Sequence, residues 1–111
     1  MEDDQTGLQY LLDLDGEAFA LSPSHFVSFK AQKVAVRKEV PHGIKYALNL
    51  FDETKHRVIG FDNAHGFKEH RRVEWDHLHK QEKVYPYRFK TAGQLLEDFW
   101  AEVNQFLEKQ P

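Results

Sequence analysis

An α+β domain is the fold class this sequence predicts: an antiparallel meander of five or six strands with one C-terminal amphipathic helix packed on one face. Three observations predict it. Apolar segments of strand length follow one another from residue 8 to residue 89, separated by short turn signals. The clearest segment, Ile44–Phe51, alternates with a period of two. The last stretch, Lys90–Lys109, repeats its apolar residues at helical spacing and is the one segment read as a helix.

Each element has its own justification. Leu8–Leu14 is apolar and ends at Asp15-Gly16, a hairpin signal, so it reads as a first strand with Glu17–Leu21 returning beside it. Ser22-Pro23-Ser24 breaks that strand. His25–Val40 is rich in Val and Phe, and its second half alternates through Val34 and Val36, which predicts a long half-exposed strand. Pro41-His42-Gly43 turns the chain into the next strand, where Ile44, Tyr46, Leu48 and Leu50 share one face and Lys45, Ala47 and Asn49 the other. Asp52–His56 is a hairpin turn leading to the strand Arg57–Asp62. Val73–Leu78 and Val84–Phe89 complete the sheet, and Pro86 confines the latter to an edge or a strand end. Thr91 followed by Gln94 matches a capping box at the start of the helix. Leu95, Leu96, Phe99, Trp100, Val103, Phe106 and Leu107 form its stripe, and Phe99, Trp100 and Phe106 are read as structural.

Composition narrows the function classes. The 111 residues fit one domain, 1–111, and 41% hydrophobic with 14% aromatic content argues for a packed core. The absence of cysteine excludes disulfides, thiolate metal sites and cysteine nucleophiles. No apolar run approaches the about 18 residues that span a bilayer, and the start, MEDDQTGLQY, is acidic where a signal peptide is positive. A cytoplasmic protein without membrane association is therefore expected. The net charge of −3 conceals an asymmetry: residues 1–22 carry −6, residues 23–54 +2, residues 55–90 +4 and residues 91–111 −3. Five of the seven histidines also lie within 55–90. A basic middle between acidic ends is compatible with a phosphate-bearing partner such as RNA.

The chemistry concentrates in Gly60–Arg72, GFDNAHGFKEHRR. Asp and Asn at a strand end suit a turn by bonding neighbouring backbone, so Asp62 and Asn63 also have a purely structural reading. The functional reading rests on His65 and His70 as proton carriers, with Lys68, Arg71 and Arg72 as phosphate contacts. RNA cleavage needs a base for the ribose 2′-hydroxyl, an acid for the leaving oxygen and cations for the phosphorane. Lys45 joins this group: if its strand pairs with 57–62 across the short hairpin, Lys45 and His42 approach the end where Asp62 and Asn63 sit. Metal binding is a rival reading. His77-Leu78-His79, if extended, points two imidazoles to one strand face, and Asp62 or His65 offers a third ligand. Because no HExxH or EF-hand spacing is present, the site is assigned no metal and no cofactor. Ser22, Ser24 and Ser28 lack the context of a nucleophile elbow.

Three pieces in order, HGIKYALNLFD with RVIGFDNAHGFKEHRR and then PYRFKTAGQLLEDFWAEV, resemble the TumE-like toxin family of bacterial and archaeal toxin–antitoxin systems over roughly residues 8–107. Phe67 and Arg72 depart from the pattern, which carries lysine after the glycine and histidine after the arginine. The resemblance implies a toxin paired with a helix-turn-helix antitoxin encoded beside it. By analogy with other small toxins, a metal-independent endoribonuclease of a type II system is expected. His65 and His70 would then be the acid/base pair, Asp62 and Asn63 would orient them or the substrate, and Lys45, Lys68, Arg71, Arg72 and Arg88 would contact RNA. A homodimer is compatible with this reading. The alternative is a non-catalytic protein-binding module acting through the neighbouring gene product.

Overall fold

A computed structural model of the chain describes residues 4–63 and 76–110. In chain order these form α1 (Gln5–Asp13), β1 (Ala18–Ser22), β2 (His25–Lys33), β3 (Ile44–Asp52), β4 (Arg57–Asp62), β5 (His77–Lys80), β6 (Lys83–Pro86) and α2 (Ala92–Glu108). The six strands make one antiparallel sheet in the order β1 to β6, so every strand pairs with its sequence neighbours. The expected α+β meander with a C-terminal helix is present. No described helix is long and apolar enough to cross a membrane.

Four elements differ from the sequence reading. Residues 8–14 are not a strand: Gln5–Asp13 is helical. Leu8, Leu11 and Leu12 stand at i, i+3 and i+4, a helical spacing that bulk hydrophobicity had masked. Leu11 is fully buried, and Leu8 and Leu12 pack against the same core. Gly16 then takes a positive φ of 85°, so the Asp15-Gly16 pair ends a helix rather than turning a hairpin. Asp15 Oδ1 accepts from the Ala31 amide, which fixes that exit against β2. The second difference is the length of β2, which stops at Lys33 instead of Val40. Lys33 pairs with Ile44, the first residue of β3, and Gly43 immediately before it has φ 72°. Residues 34–40 therefore have no partner strand and form a connection closed by an Arg37–Val40 bridge, with Val36 71% exposed. Third, β6 ends at Pro86, and Tyr87–Phe89 leads into α2 outside the sheet. Fourth, of the strand expected at Val73–Leu78, residues 73–75 lie outside the described residues, Asp76 is not in the sheet, and β5 runs His77–Lys80.

The two helices lie on one face of the sheet. Val27, Phe29, Ala31, Ile44, Tyr46, Leu48, Leu50, Ile59 and Phe61 point to that face and share one core with Leu95, Leu96, Phe99 and Val103 of α2. Phe99 makes edge contacts with Phe29 at 5.5 Å and Phe61 at 6.1 Å between ring centroids. As expected, Phe99 is buried, and Trp100 and Phe106 pack partly buried against the core. Thr91 caps α2 by accepting from the Gln94 amide at 3.0 Å. A second cap comes from a residue 88 positions away: Asp4 Oδ2 accepts from the Ala92 amide at 2.6 Å, placing a negative charge where the helix dipole is positive. The helices touch through two glycines, since a Cβ on Gly7 would lie 2.9 Å from the Gly93 nitrogen. The acidic N-terminus thus contributes to stability, and α1 closes the core beside α2.

Candidate functional site

The opposite face of the sheet carries no described helix, and its residues follow from the register. Ala47 pairs with Asp62 and Asp62 with His77; Asn49 pairs with Gly60 and Gly60 with His79. Alternation therefore sets Lys45, Ala47, Asn49, Gly60, Asp62, His77 and His79 on one surface. Because β4 is bordered on both sides, Asp62 lies within the sheet rather than at its edge.

Asp62 is the centre of this surface and is only 8% exposed. Its Oδ2 lies 3.3 Å from His79 Nε2 and accepts from Arg57 Nη1 at 3.2 Å, and its Oδ1 lies 3.9 Å from His77 Nδ1. Burying a carboxylate is costly unless partners answer its charge. Here a guanidinium and two imidazoles face it. Arg57 reaches this face because the β3–β4 register shifts between Leu50 and Phe51, pairing Phe51 with Arg57 and leaving Val58 to the core. Its side chain crosses Gly60, where a Cβ would lie 2.9 Å from Arg57 Cδ and 2.8 Å from Asn49 Oδ1. Gly60 is the gap that lets Arg57 fold back to Asp62.

Two further polar residues anchor the chain on either side of residues 64–75. Asn63 extends the ladder with its side chain: Oδ1 accepts from the Tyr46 amide at 3.1 Å and Nδ2 donates to the Ile44 carbonyl at 2.7 Å. Asp76 Oδ2 accepts from the Tyr46 hydroxyl at 2.6 Å and from His42 Nε2 at 2.9 Å. The Ile44 amide donates to His42 Nδ1, which leaves the Nε2 hydrogen for Asp76. Phe89 stacks on the His42 ring at 3.9 Å. Burial, and then the negative charge of Asp76, push the Tyr46 phenol well above its ordinary range, so it remains a donor.

The sequence-derived residues divide accordingly. Asp62 is brought together with His77 and His79, the pair assigned to the rival metal reading. Lys45 is exposed two residues along β3 from Ala47, the partner of Asp62, so the expected hairpin geometry places it on the same face. Asn63 is buried and its amide is engaged by β3. Arg88 is exposed between β6 and α2. His65, Lys68, His70, Arg71 and Arg72 lie outside the described residues. Arg57, Gly60 and Asp76 were missed by sequence reasoning. Strict alternation from Asp62 back through Gly60 selects Val58 rather than Arg57, and only the register shift corrects it. Asp76 carried a signal in its position just before His77-Leu78-His79, but its partners Tyr46 and His42 are about thirty residues away in sequence.

A groove of about 480 Å3 is present elsewhere, on the helix side, lined by His56, Lys80, Lys83, Glu102, Phe106 and Lys109 among others. None of the Asp62 cluster lines it, and charge convergence rather than cavity size identifies the candidate site.

The described residues thus form a six-stranded α+β fold with an acid–imidazole–guanidinium centre on the sheet face that carries no described helix. A family model described as Toxin TumE matches residues 15–107. The chain belongs to the TumE toxin family. The match begins after α1, so the family pattern covers the whole sheet, the Asp62 centre and nearly all of α2. Comparison with curated proteins and with solved structures gives no match.

Proposed function

We propose that this toxin acts on RNA as an endoribonuclease and that a helix-turn-helix antitoxin encoded beside it restrains it, as in a type II system. The observation that carries the reading is Asp62, a buried carboxylate faced by Arg57, His77 and His79 on the sheet face without a described helix. Only Asn63 separates it from the segment 64–75, whose sequence holds His65, Lys68, His70, Arg71 and Arg72. In this reading His65 and His70 exchange protons with the ribose 2′-hydroxyl and the leaving oxygen. Arg57, Lys45, Arg71 and Arg72 answer the phosphate charge, with Lys68 and Arg88 extending the contact along the strand. Asn63 acts through position, holding the end of β4 to β3.

The test is expression of the protein alone, with growth and RNA integrity followed after induction. Growth arrest with RNA fragmentation, both relieved by His65→Ala/His70→Ala and by the neighbouring gene product, is the expected result. Unimpaired growth, identical to that of the double variant, overturns the reading.

A second reading has its own observation. Both edge strands present large apolar side chains, Phe19 on β1 and Val84 and Tyr85 on β6, each more than 40% exposed. Sheet edges of this kind suit a protein partner. Co-purification with the neighbouring gene product, combined with intact RNA, would favour a non-catalytic binding module.

A further inference from the structure

We propose that Asp62, His77 and His79 bind a divalent transition-metal ion, with zinc the best match to their donors. The proposal departs from the metal-free chemistry expected from the sequence. It concerns binding; only the use of the ion in RNA cleavage rests on the reading above.

Geometry carries the argument. One donor atom from each residue lies within 4.8 Å of the others. In a tetrahedral site with metal–ligand lengths of about 2.0–2.2 Å, neighbouring donors are about 3.3–3.6 Å apart. Asp62 Oδ2 and His79 Nε2 are already 3.3 Å apart, while His77 Nδ1 lies 3.9 Å from the other carboxylate oxygen. The three donors, spread over up to 4.8 Å, must therefore close by about 1 Å to share one ion. The two histidine rings meet edge to face at 66°, so they do not stack, and each turns a nitrogen toward Asp62. Adjacent paired strands supply all three donors, Asp62 facing His77 directly, and such backbone placement is more exact than a loop provides.

The donor set also selects the ion. Two imidazoles with one carboxylate suit zinc and its first-row neighbours, whereas magnesium and calcium take oxygen ligands. Three protein donors leave a tetrahedral ion one position for water or an anionic oxygen. Arg57 is the countervailing charge, because its guanidinium shares Asp62 Oδ2. In a loaded site it serves as an outer partner that orients the carboxylate. The centre then carries excess positive charge and is suited to a phosphate oxygen. Without an ion, Arg57 and the histidines simply neutralise Asp62, and the experiment separates the two cases.

The test uses the untagged full chain, stripped with chelator and titrated with Zn2+ by calorimetry and with Co2+ by visible absorption. The expected result is one ion per chain, cobalt bands of a low-symmetry site, and shifts of the His77 and His79 imidazole nitrogen resonances on adding zinc. Asp62→Asn and His79→Gln each weaken binding by more than the about 10–100-fold that loss of an outer partner causes. His56→Gln, in the β3–β4 turn, leaves binding unchanged. Metal-free unfolding midpoints of the variants are compared with wild type. If a variant unfolds, the imidazole shifts of the wild-type protein decide. Absence of stoichiometric binding, or unchanged affinity in both variants, overturns the proposal. RNA cleavage at full rate by verified metal-free protein overturns the ion's catalytic use but not the nuclease reading. Stoichiometric zinc with no RNA cleavage upholds the ion site and overturns the nuclease reading.

Discussion

The two faces of β4 carry opposite chemistry. Ile59 and Phe61 point into an aromatic and aliphatic core and are at most 2% exposed. Arg57, Gly60 and Asp62, on the same few residues of backbone, form a charged centre with β5. Both faces are heavily buried, so burial alone does not distinguish stability from chemistry. The distinction lies in what answers each side chain. Core residues meet other carbon atoms, and their removal leaves a cavity. Asp62 meets a guanidinium and two imidazoles, so its removal leaves charged and polar groups unanswered rather than a cavity. A single strand therefore separates the two roles by residue parity, and the register shift opposite Arg57 moves one cation from the first role to the second.

That contrast is most easily broken from the core side. Phe99→Ala removes a ring that touches both Phe29 and Phe61, and a loss of about 3–5 kcal/mol in unfolding free energy is expected from denaturant titration. Toxicity falls with it through loss of folded protein. Next comes the pair of anchors flanking residues 64–75. Asn63→Ala leaves the buried Tyr46 amide and Ile44 carbonyl without their side-chain partner, and a loss of about 1–3 kcal/mol is expected by the same measurement. Tyr46→Phe removes a hydrogen bond to the Asp76 carboxylate, with a loss of about 1.5–3 kcal/mol expected.

Gly60→Ala sharpens the contrast from the other side. The new methyl group would crowd Arg57 and Asn49, and the Arg57 side chain, which is 35% exposed, can shift away from it. RNA cleavage should fall at least about tenfold, as for loss of one charge-stabilising group, while the thermal midpoint changes less than for any core variant. A collapse of stability with Gly60→Ala would mean that the sheet face opposite the helices is a second core. The smallest effect is in the β3–β4 turn. The Thr54 hydroxyl, with the His56 amide, holds the Asp52 carboxyl below its ordinary range. A depressed folded value stabilises the turn above the ordinary carboxylate pKa of about 3.9, and the contribution disappears as pH falls through the folded value. Hydrogen exchange at Lys55, whose amide bonds the Asp52 carbonyl, should accelerate only in that acid range.

Much of the fold was legible because its strands alternate and its turns are short. Ile44–Asp52 and Arg57–Asp62 match their sequence boundaries to within a residue, and Thr91 caps α2 as its pattern predicts. Elsewhere local sequence was outweighed by distant partners. Leu8–Leu14 has both strand-like hydrophobicity and helical spacing, and packing against α2 through Gly7 and Gly93 favours the helix. Val34 and Val36 have strand propensity but no partner strand beyond the bond from the Val34 amide to the Gly43 carbonyl, because Pro41-His42-Gly43 precludes an earlier start to β3. At the site, the period of two was enough to bring Lys45 to the face of Asp62 and to align His77 with His79. It was not enough to find Arg57, which depends on an irregular register, or the bond between Asp76 and His42, which depends on folding across 34 residues.

The central claim is that Asp62 is the working centre of the toxin and not a structural charge. The most direct measurement compares purified wild-type and Asp62→Asn protein for cleavage of a labelled RNA, with unfolding curves recorded on the same samples. The account predicts cleavage by the wild type, loss of at least about a hundredfold in the variant, and a smaller change in unfolding free energy than Phe99→Ala produces. Equal cleavage by the two proteins, or loss of cleavage only in step with loss of folding, would contradict it.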